Sequence, residues 1–383
     1  MRIGIDVSWA QGPASGTATY VAGLVEGLVR VAPEHAYVLF TRGPARYGPA
    51  LPGFDGPGVT RVVVDAPLTN LRQQVTLPAA LRRQRLDLYH SPAFFLPLAL
   101  PLIWRGPTVV SMFDLNFLRL RENWRPGRRA TYLSLALQVP LAAHQATRLI
   151  TLSHASARDI TRLLRVPPRK VAVVPAAPRA IFRQPPDPAL VAETRRRYGP
   201  FLLSVGVLAP QKNLERVLRA VARVSDADGG ATRLVLAGRS AGGYADTVLR
   251  PLAASLGLAA RVMFVEPTDD ELRALYHAAV ALVFPSLVEG FGLPIVEAMA
   301  CGCPVVTSNI SSMPEVAGDA ALLVDPRDAD ALAAALSRLL TEPALRSELR
   351  DRGLTRSARF TWDDAARHTL RVYDEAAHAS VAP

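Results

Sequence analysis

Short apolar runs alternate along this chain with longer stretches in which apolar residues recur every three or four positions. RIGIDV (2–7), AYVLFT (36–41), VTRVVVD (59–65) and LDLYHSP (86–92) have the length and β-branched content of strands. Between them lie helical patterns such as TATYVAGLVEGLVRVA (17–32) and RQQVTLPAALRRQ (72–84). GPTVVSMF, RLITLS, FLLSVGVL, RLVLAG, RVMFVE, AVALVFPS and PVVTS continue the series of strands. Strands of this kind, separated by helix-length segments, predict an α/β chain with parallel sheets wrapped by helices. The last pattern, from Trp362, predicts a C-terminal helix.

With 383 residues, half of them apolar, the chain is long enough for two domains that each bury a core. The segment KVAVVPAAPRAIFRQPPDPAL places the boundary, since five prolines between Pro175 and Pro188 make a stiff, extended connection. The expected division is 1–178, 179–361 and a terminal helix over 362–383.

Charge adds a second contrast. Through residue 180 there are 22 Arg and Lys against 9 Asp and Glu, whereas the remainder holds 22 against 24. The net +11 therefore resides in the first half, which points to an anionic partner for that half. Arg119, Arg121, Arg125, Arg128 and Arg129 interleave with Trp124 just before an apolar helical run, the composition of a membrane-surface segment. No nucleic-acid-binding module accompanies them, so nucleic acid is not expected as a partner. Residues 1–9, MRIGIDVSW, open a strand and not a signal peptide, and Phe94–Trp104 is too short and proline-rich to span a bilayer. The expected location is cytoplasmic, at the inner face of a membrane. Cys301 and Cys303, one residue apart, suit small buried positions in a reducing compartment better than a disulfide or a metal. Asp226-Ala-Asp228 has the spacing of a metal-binding pair, but no strand precedes it and two glycines follow, so it reads as a surface loop.

The richest chemistry lies in Phe284–Asn309. A buried strand runs into a turn, Glu289-Gly290-Phe291-Gly292, and then into LPIVEAMA, with Pro294 acceptable in a helix's first turn. Strand, glycine turn and helix direct backbone N–H groups at an anion. Glu289 and Glu297 frame the turn, and carboxylates are better acceptors from hydroxyls than partners for phosphate. A ligand bearing both phosphates and sugar hydroxyls, a nucleotide sugar, satisfies both features. Two further glycine-to-helix turns follow first strands: Gly12 and Gly16 before the helix from Thr17 or Thr19, and Gly206 before Lys212. Lys212 at a helix start opposes the helix dipole, a conflict that a bound diphosphate offsets. His90 ends a strand, where ligands gather in open α/β sheets, although a lone histidine is more often structural.

The stretch EGFGLPIVEAMACGCPVVTSNISSMPEVAGDAALLVDP resembles the signature region of the retaining glycosyltransferases of family 4 (glycosyl transferases group 1). That resemblance implies the GT-B arrangement: two Rossmann-like domains facing across a cleft, with the C-terminal helix crossing back to an acceptor-side first domain. It implies that Glu289 orients donor hydroxyls, assisted by Gly290, Phe291, Gly292 and Leu293, and that Glu297 holds the ribose. It also implies that Lys212, Gly206 and Asn213 bind the donor diphosphate, with Gly16, Thr17 and the turn at Ser153 nearby, and that Asp114 lies near the reaction centre. The chain departs from the family pattern at Phe113, Gln211, Val207 and Glu266, where histidine, two arginines and glycine are common.

The expected function is metal-independent transfer of a hexose, without a cofactor, to an anionic, lipid-linked or polysaccharide acceptor. GDP-mannose is the favoured donor and UDP-glucose the next. Two alternatives remain: a scaffold that binds nucleotide sugar without turnover, and an epimerase on the same fold.

Overall fold

A computed structural model describes residues 1–11, 15–41, 56, 58–64, 71–116, 129–227 and 232–379. The arginine-rich segment around Trp124, Gly12 and Asp228 lie outside them. The chain forms two units: Met1–Ala177 together with Thr361–Pro383, and Pro178–Phe360.

In the first unit, seven parallel strands lie in the order β3-β2-β1-β4-β5-β6-β7. They are β1 (Arg2–Asp6), β2 (Ala36–Thr41), β3 (Val59–Val63), β4 (Leu88–Ser91), β5 (Thr108–Ser111), β6 (Arg148–Thr151) and β7 (Val171–Val173). The central strands are buried on both faces, which is why they read as continuous apolar runs. The first helix begins at Gly16, slightly before the threonines, because Ser15 accepts a hydrogen bond from the Ala18 N–H at 3.2 Å and caps it.

The terminal helix Trp362–Ala379 packs on the helix Gly16–Val31. The contact depends on Gly23: a Cβ there would lie 2.1 Å from the Trp362 ring. Arg30 and Asp363 pair at the edge of this contact, and Arg148 reaches Glu375 at 2.6 Å. A buried chain of hydrogen bonds ties the same helix to the sheet. His90 Nδ1 lies 2.7 Å from the Tyr373 hydroxyl, His90 Nε2 lies 2.9 Å from Ser111 Oγ, and the Tyr20 hydroxyl lies 3.0 Å from Ser111 Oγ. Burial lowers the His90 pKa to about 3, so the ring is neutral.

In the second unit, six parallel strands lie in the order β10-β9-β8-β11-β12-β13. They are β8 (Phe201–Val205), β9 (Arg233–Ala237), β10 (Val262–Val265), β11 (Ala281–Phe284), β12 (Val305–Ser308) and β13 (Leu322–Val324). Strand order reverses between β8 and β11, and loops leaving the carboxyl ends of such strands frame a crevice. The segments after these two strands carry Gly206, Lys212, Glu289 and Glu297. Among the described residues no helix is long and apolar enough to cross a membrane.

Candidate active site

Lys212 sits in a short turn, Pro210–Lys212, just ahead of the helix Leu214–Ala227. Asn213 supplies the left-handed residue between them (φ 59°), a conformation asparagine tolerates. Its side-chain amide donates to the Pro285 carbonyl at 3.1 Å and to the Pro326 carbonyl at 2.6 Å. Asn213 thus fastens the Lys212 turn to the segments that follow β11 and β13. A second tie joins the Leu287 N–H to the Gln211 carbonyl at 2.9 Å. Gly206, at φ 127°, adopts a backbone conformation that favours glycine and lies beside the lysine stem, where a Cβ would be in ordinary contact with Lys212 Cε at 3.4 Å.

So held, Lys212 Nζ lies 2.6 Å from Glu289 Oε1 and 4.8 Å from the centre of the Phe284 ring. Both side chains are largely enclosed, 16% and 15% exposed. Lys212 stands just ahead of the helix Leu214–Ala227, and Glu289 offsets its charge from across the strand switch.

The turn carrying Glu289 is fixed from below by two serines that the sequence reading passed over. Ser311 Oγ accepts from the Glu289 N–H at 3.2 Å and donates to its carbonyl at 3.0 Å. Ser312 Oγ lies 3.1 Å from the Glu289 carbonyl and 2.8 Å from that of Phe291. Phe291 packs edge-on against Phe360 at 5.5 Å, and Gly292, at φ 109°, turns the chain into the helix Leu293–Ala300. Gly290 and Leu293 complete this turn.

Glu297 has different partners from Glu289. It is buried on the helix Leu293–Ala300, accepts a hydrogen bond from the Tyr276 hydroxyl at Oε2 (3.2 Å), and has Arg179 Nε 3.8 Å from Oε1. Arg179 is held in turn by Asp269, 2.7 Å away, and lies over the Phe182 ring. Burial raises the Glu297 pKa to about 7, against the opposing influence of Arg179 and the Tyr276 hydrogen bond. Neither Arg179 nor Tyr276 stood out in the sequence; the proline-rich linker carries Arg183 as well, and nothing local distinguishes the two arginines.

In the first unit, Gly16 and Thr17 open the first helix, and Ser153 caps the helix His154–Leu164 by accepting from the Ser156 N–H at 3.1 Å. Asp114 accepts from the Asn116 N–H at 3.0 Å. Phe113 is buried against Tyr20 and Phe94, edge to face at 4.8 and 5.6 Å, filling with apolar contact the position where a polar ring was the family expectation. His90 is enclosed in the Tyr373–Ser111 chain and faces no cleft. Among the described residues no group of three or more His, Cys, Asp or Glu could hold a metal.

Two family models cover most of the chain: Glycosyltransferase Family 4 matches residues 14–177, and Glycosyl transferases group 1 matches residues 192–356. An O-antigen chain mannosyltransferase B from Escherichia coli is 32% identical over 299 residues, 77% of this chain and 76% of that protein. The chain belongs to the family 4 glycosyltransferases. A D-inositol 3-phosphate glycosyltransferase from Acidothermus cellulolyticus is 37% identical over 245 residues, covering 60% of this chain and 54% of that relative. The structure of HepE from Anabaena, in complex with UDP and glucose, superposes with a TM-score of 0.76 at 19% identity, over 98% of this chain and all of that one (100%). The fold of this glycosyltransferase is accordingly GT-B.

Proposed function

We propose that this glycosyltransferase moves a hexose from a nucleoside diphosphate sugar, with retention of configuration, to a lipid-linked or polysaccharide acceptor in cell-envelope glycan assembly. The observation that carries the reading is the Lys212–Glu289 pair at the strand switch of the second unit. In this reading Lys212 stabilises the negative charge that develops on the departing diphosphate, the role of an oxyanion hole. The bond from the anomeric carbon to the diphosphate oxygen breaks while the acceptor hydroxyl attacks the same face and passes its proton to the diphosphate. Glu289 accepts hydrogen bonds from the hexose hydroxyls, and Glu297 from those of the ribose. Lys212 and backbone N–H groups take the place of a metal ion.

Mannose is favoured by the name of the E. coli relative, and glucose follows from the HepE complex. For the acceptor, membrane contact of the first unit is supported by the helix Arg129–Gln145. Val139, Ala142 and Ala143 are buried on one of its sides, yet Leu133 and Leu137 are each 62% exposed and Leu141 is 38% exposed. A helix apolar on both sides has a further apolar or interfacial partner. The excess positive charge of the first half selects an anionic bilayer, the inner face of the cytoplasmic membrane.

The deciding assay is nucleotide release from GDP-, UDP-, ADP- and dTDP-sugars, with Glu289→Ala alongside. Release of one nucleotide that disappears in the variant supports transfer and names the donor. Binding without turnover, with lipid-phosphate acceptors present, would favour the scaffold reading that Phe113 keeps open.

A further inference from the structure

Glu297 is a buried carboxylate whose usefulness as an acceptor depends on its staying ionised, because a protonated carboxyl donates through one oxygen. The groups facing it come from three elements. The helix Asp269–Ala278 contributes Tyr276, whose hydroxyl donates to Oε2, and Asp269, whose charge opposes ionisation. Arg273, on the same helix, is paired with Asp270 at 2.9 Å. The end of its own helix contributes Cys301, and Cys303 follows; burial pushes both thiols up, so both are neutral. The linker contributes Arg179, the second residue after Ala177, and the Phe182 ring beneath its guanidinium.

Arg179 is thus the cation that faces Glu297. One arm of its guanidinium is fixed by Asp269, while its buried Nε–H has no hydrogen-bond partner and lies 3.8 Å from Glu297 Oε1. That separation is within ion-pair range but beyond a hydrogen bond, so the arginine supplies charge while leaving the acceptor capacity of Oε1 unused.

We propose that Arg179 is a positioning residue for Glu297: fixed by Asp269, it holds the carboxylate ionised so that both oxygens can accept the ribose hydroxyls of the nucleotide. The inference rests on the assignment of Glu297 to the ribose. It adds that nucleotide affinity depends on a linker arginine that does not touch the ligand, and that this dependence varies with pH.

The test is calorimetric binding of GDP and UDP between pH 6 and 9 to the full chain and to Arg179→Met, Arg179→Lys and Glu297→Gln. In the unaltered protein the affinity should weaken as pH falls through about 7, where Glu297 takes up its proton. Arg179→Met should move that midpoint upward by about one unit and weaken binding about five- to tenfold at pH 7, with the loss disappearing by pH 9. Arg179→Lys should restore most of the original midpoint. The nucleotide's own phosphate ionisation is common to all four proteins and cancels in the comparison. An unshifted midpoint in Arg179→Met, or a loss of equal size at every pH, would overturn the proposal, since a merely structural role gives the second pattern. Undiminished binding by Glu297→Gln would instead overturn the ribose assignment, and the proposal with it.

Discussion

Lys212 Nζ and Glu289 Oε1, 77 positions apart in sequence, lie 2.6 Å from each other on the two loops that leave the strand switch of the second unit. Each holds the other's charge in a partly enclosed site, so removing either leaves an uncompensated ion. Lys212→Met is expected to lower kcat by about 100-fold or more, the cost of deleting one group that stabilises developing negative charge. The double variant Lys212→Met with Glu289→Gln should lose less stability than the sum of the two single losses, by about 0.5–3 kcal/mol in urea titrations. Simple additivity would show that the pair contributes nothing in solution.

Glu297 makes stability fall as pH rises. Its pKa is raised to about 7 in the folded chain by burial, so between about 4.5 and 7 the folded state holds more protons than the unfolded state. Stability is then greatest at the acid end of this window and declines toward neutrality, by on the order of 2 kcal/mol from this group. Glu297→Gln should remove the decline, so its melting temperature relative to the unaltered protein should improve between pH 5 and pH 8. A constant difference across that range would contradict the burial argument.

His90 acts in the opposite sense over a neighbouring window. Its pKa is lowered to about 3 by burial, so between about 3 and the ordinary histidine value near 6.5 the unfolded state binds the extra proton. The stability tied to its neutral ring is present above pH 6.5 and lost as pH falls toward 3. His90→Gln should flatten acid unfolding by about one proton, while costing about 1–3 kcal/mol at pH 7 because Tyr373 and Ser111 lose a partner. Circular dichroism melts at pH 4.5 and pH 7 separate the two effects.

Gly23 has a steric duty. A methyl group there would meet the Trp362 ring well inside contact distance, so Gly23→Ala is expected to destabilise the first unit by about 1–3 kcal/mol. Gly23→Ala combined with Trp362→Leu should recover part of the loss in thermal unfolding. No recovery would place the cause in the helix itself.

The strands and the two-sheet plan were legible because parallel strands buried on both faces leave unmistakable apolar runs, as in Leu202–Leu203 and Ala281–Phe284. The Glu289 turn was legible because the whole stretch around it resembles a family signature; a glycine turn between a strand and a helix is by itself common in such sheets. What could not be read was partnership across the chain. Nothing local marks Arg179 as the neighbour of Glu297, 118 positions away, or Ser312 as the support of the Glu289 carbonyl. Likewise, Asn213 was singled out through the family's Lys-Asn pattern, and the two carbonyls its amide bonds are brought near it only by the folded sheet. For His90 the position at a strand end allowed a site role, yet a lone histidine is more often structural, and the structure encloses it between Tyr373 and Ser111.

The first unit contains both the opening strands and the helix Trp362–Ala379, with Trp362 against Gly23 and Tyr373 bonded to His90. On the ribosome, therefore, the half that is translated first is the half completed last. Residues 178–360 can reach their native state while His90 still lacks its tyrosine and the 16–31 helix exposes a bare glycine face. A chain cut after Phe360 should accordingly keep a folded second unit attached to an unfinished first one, with that glycine face uncovered.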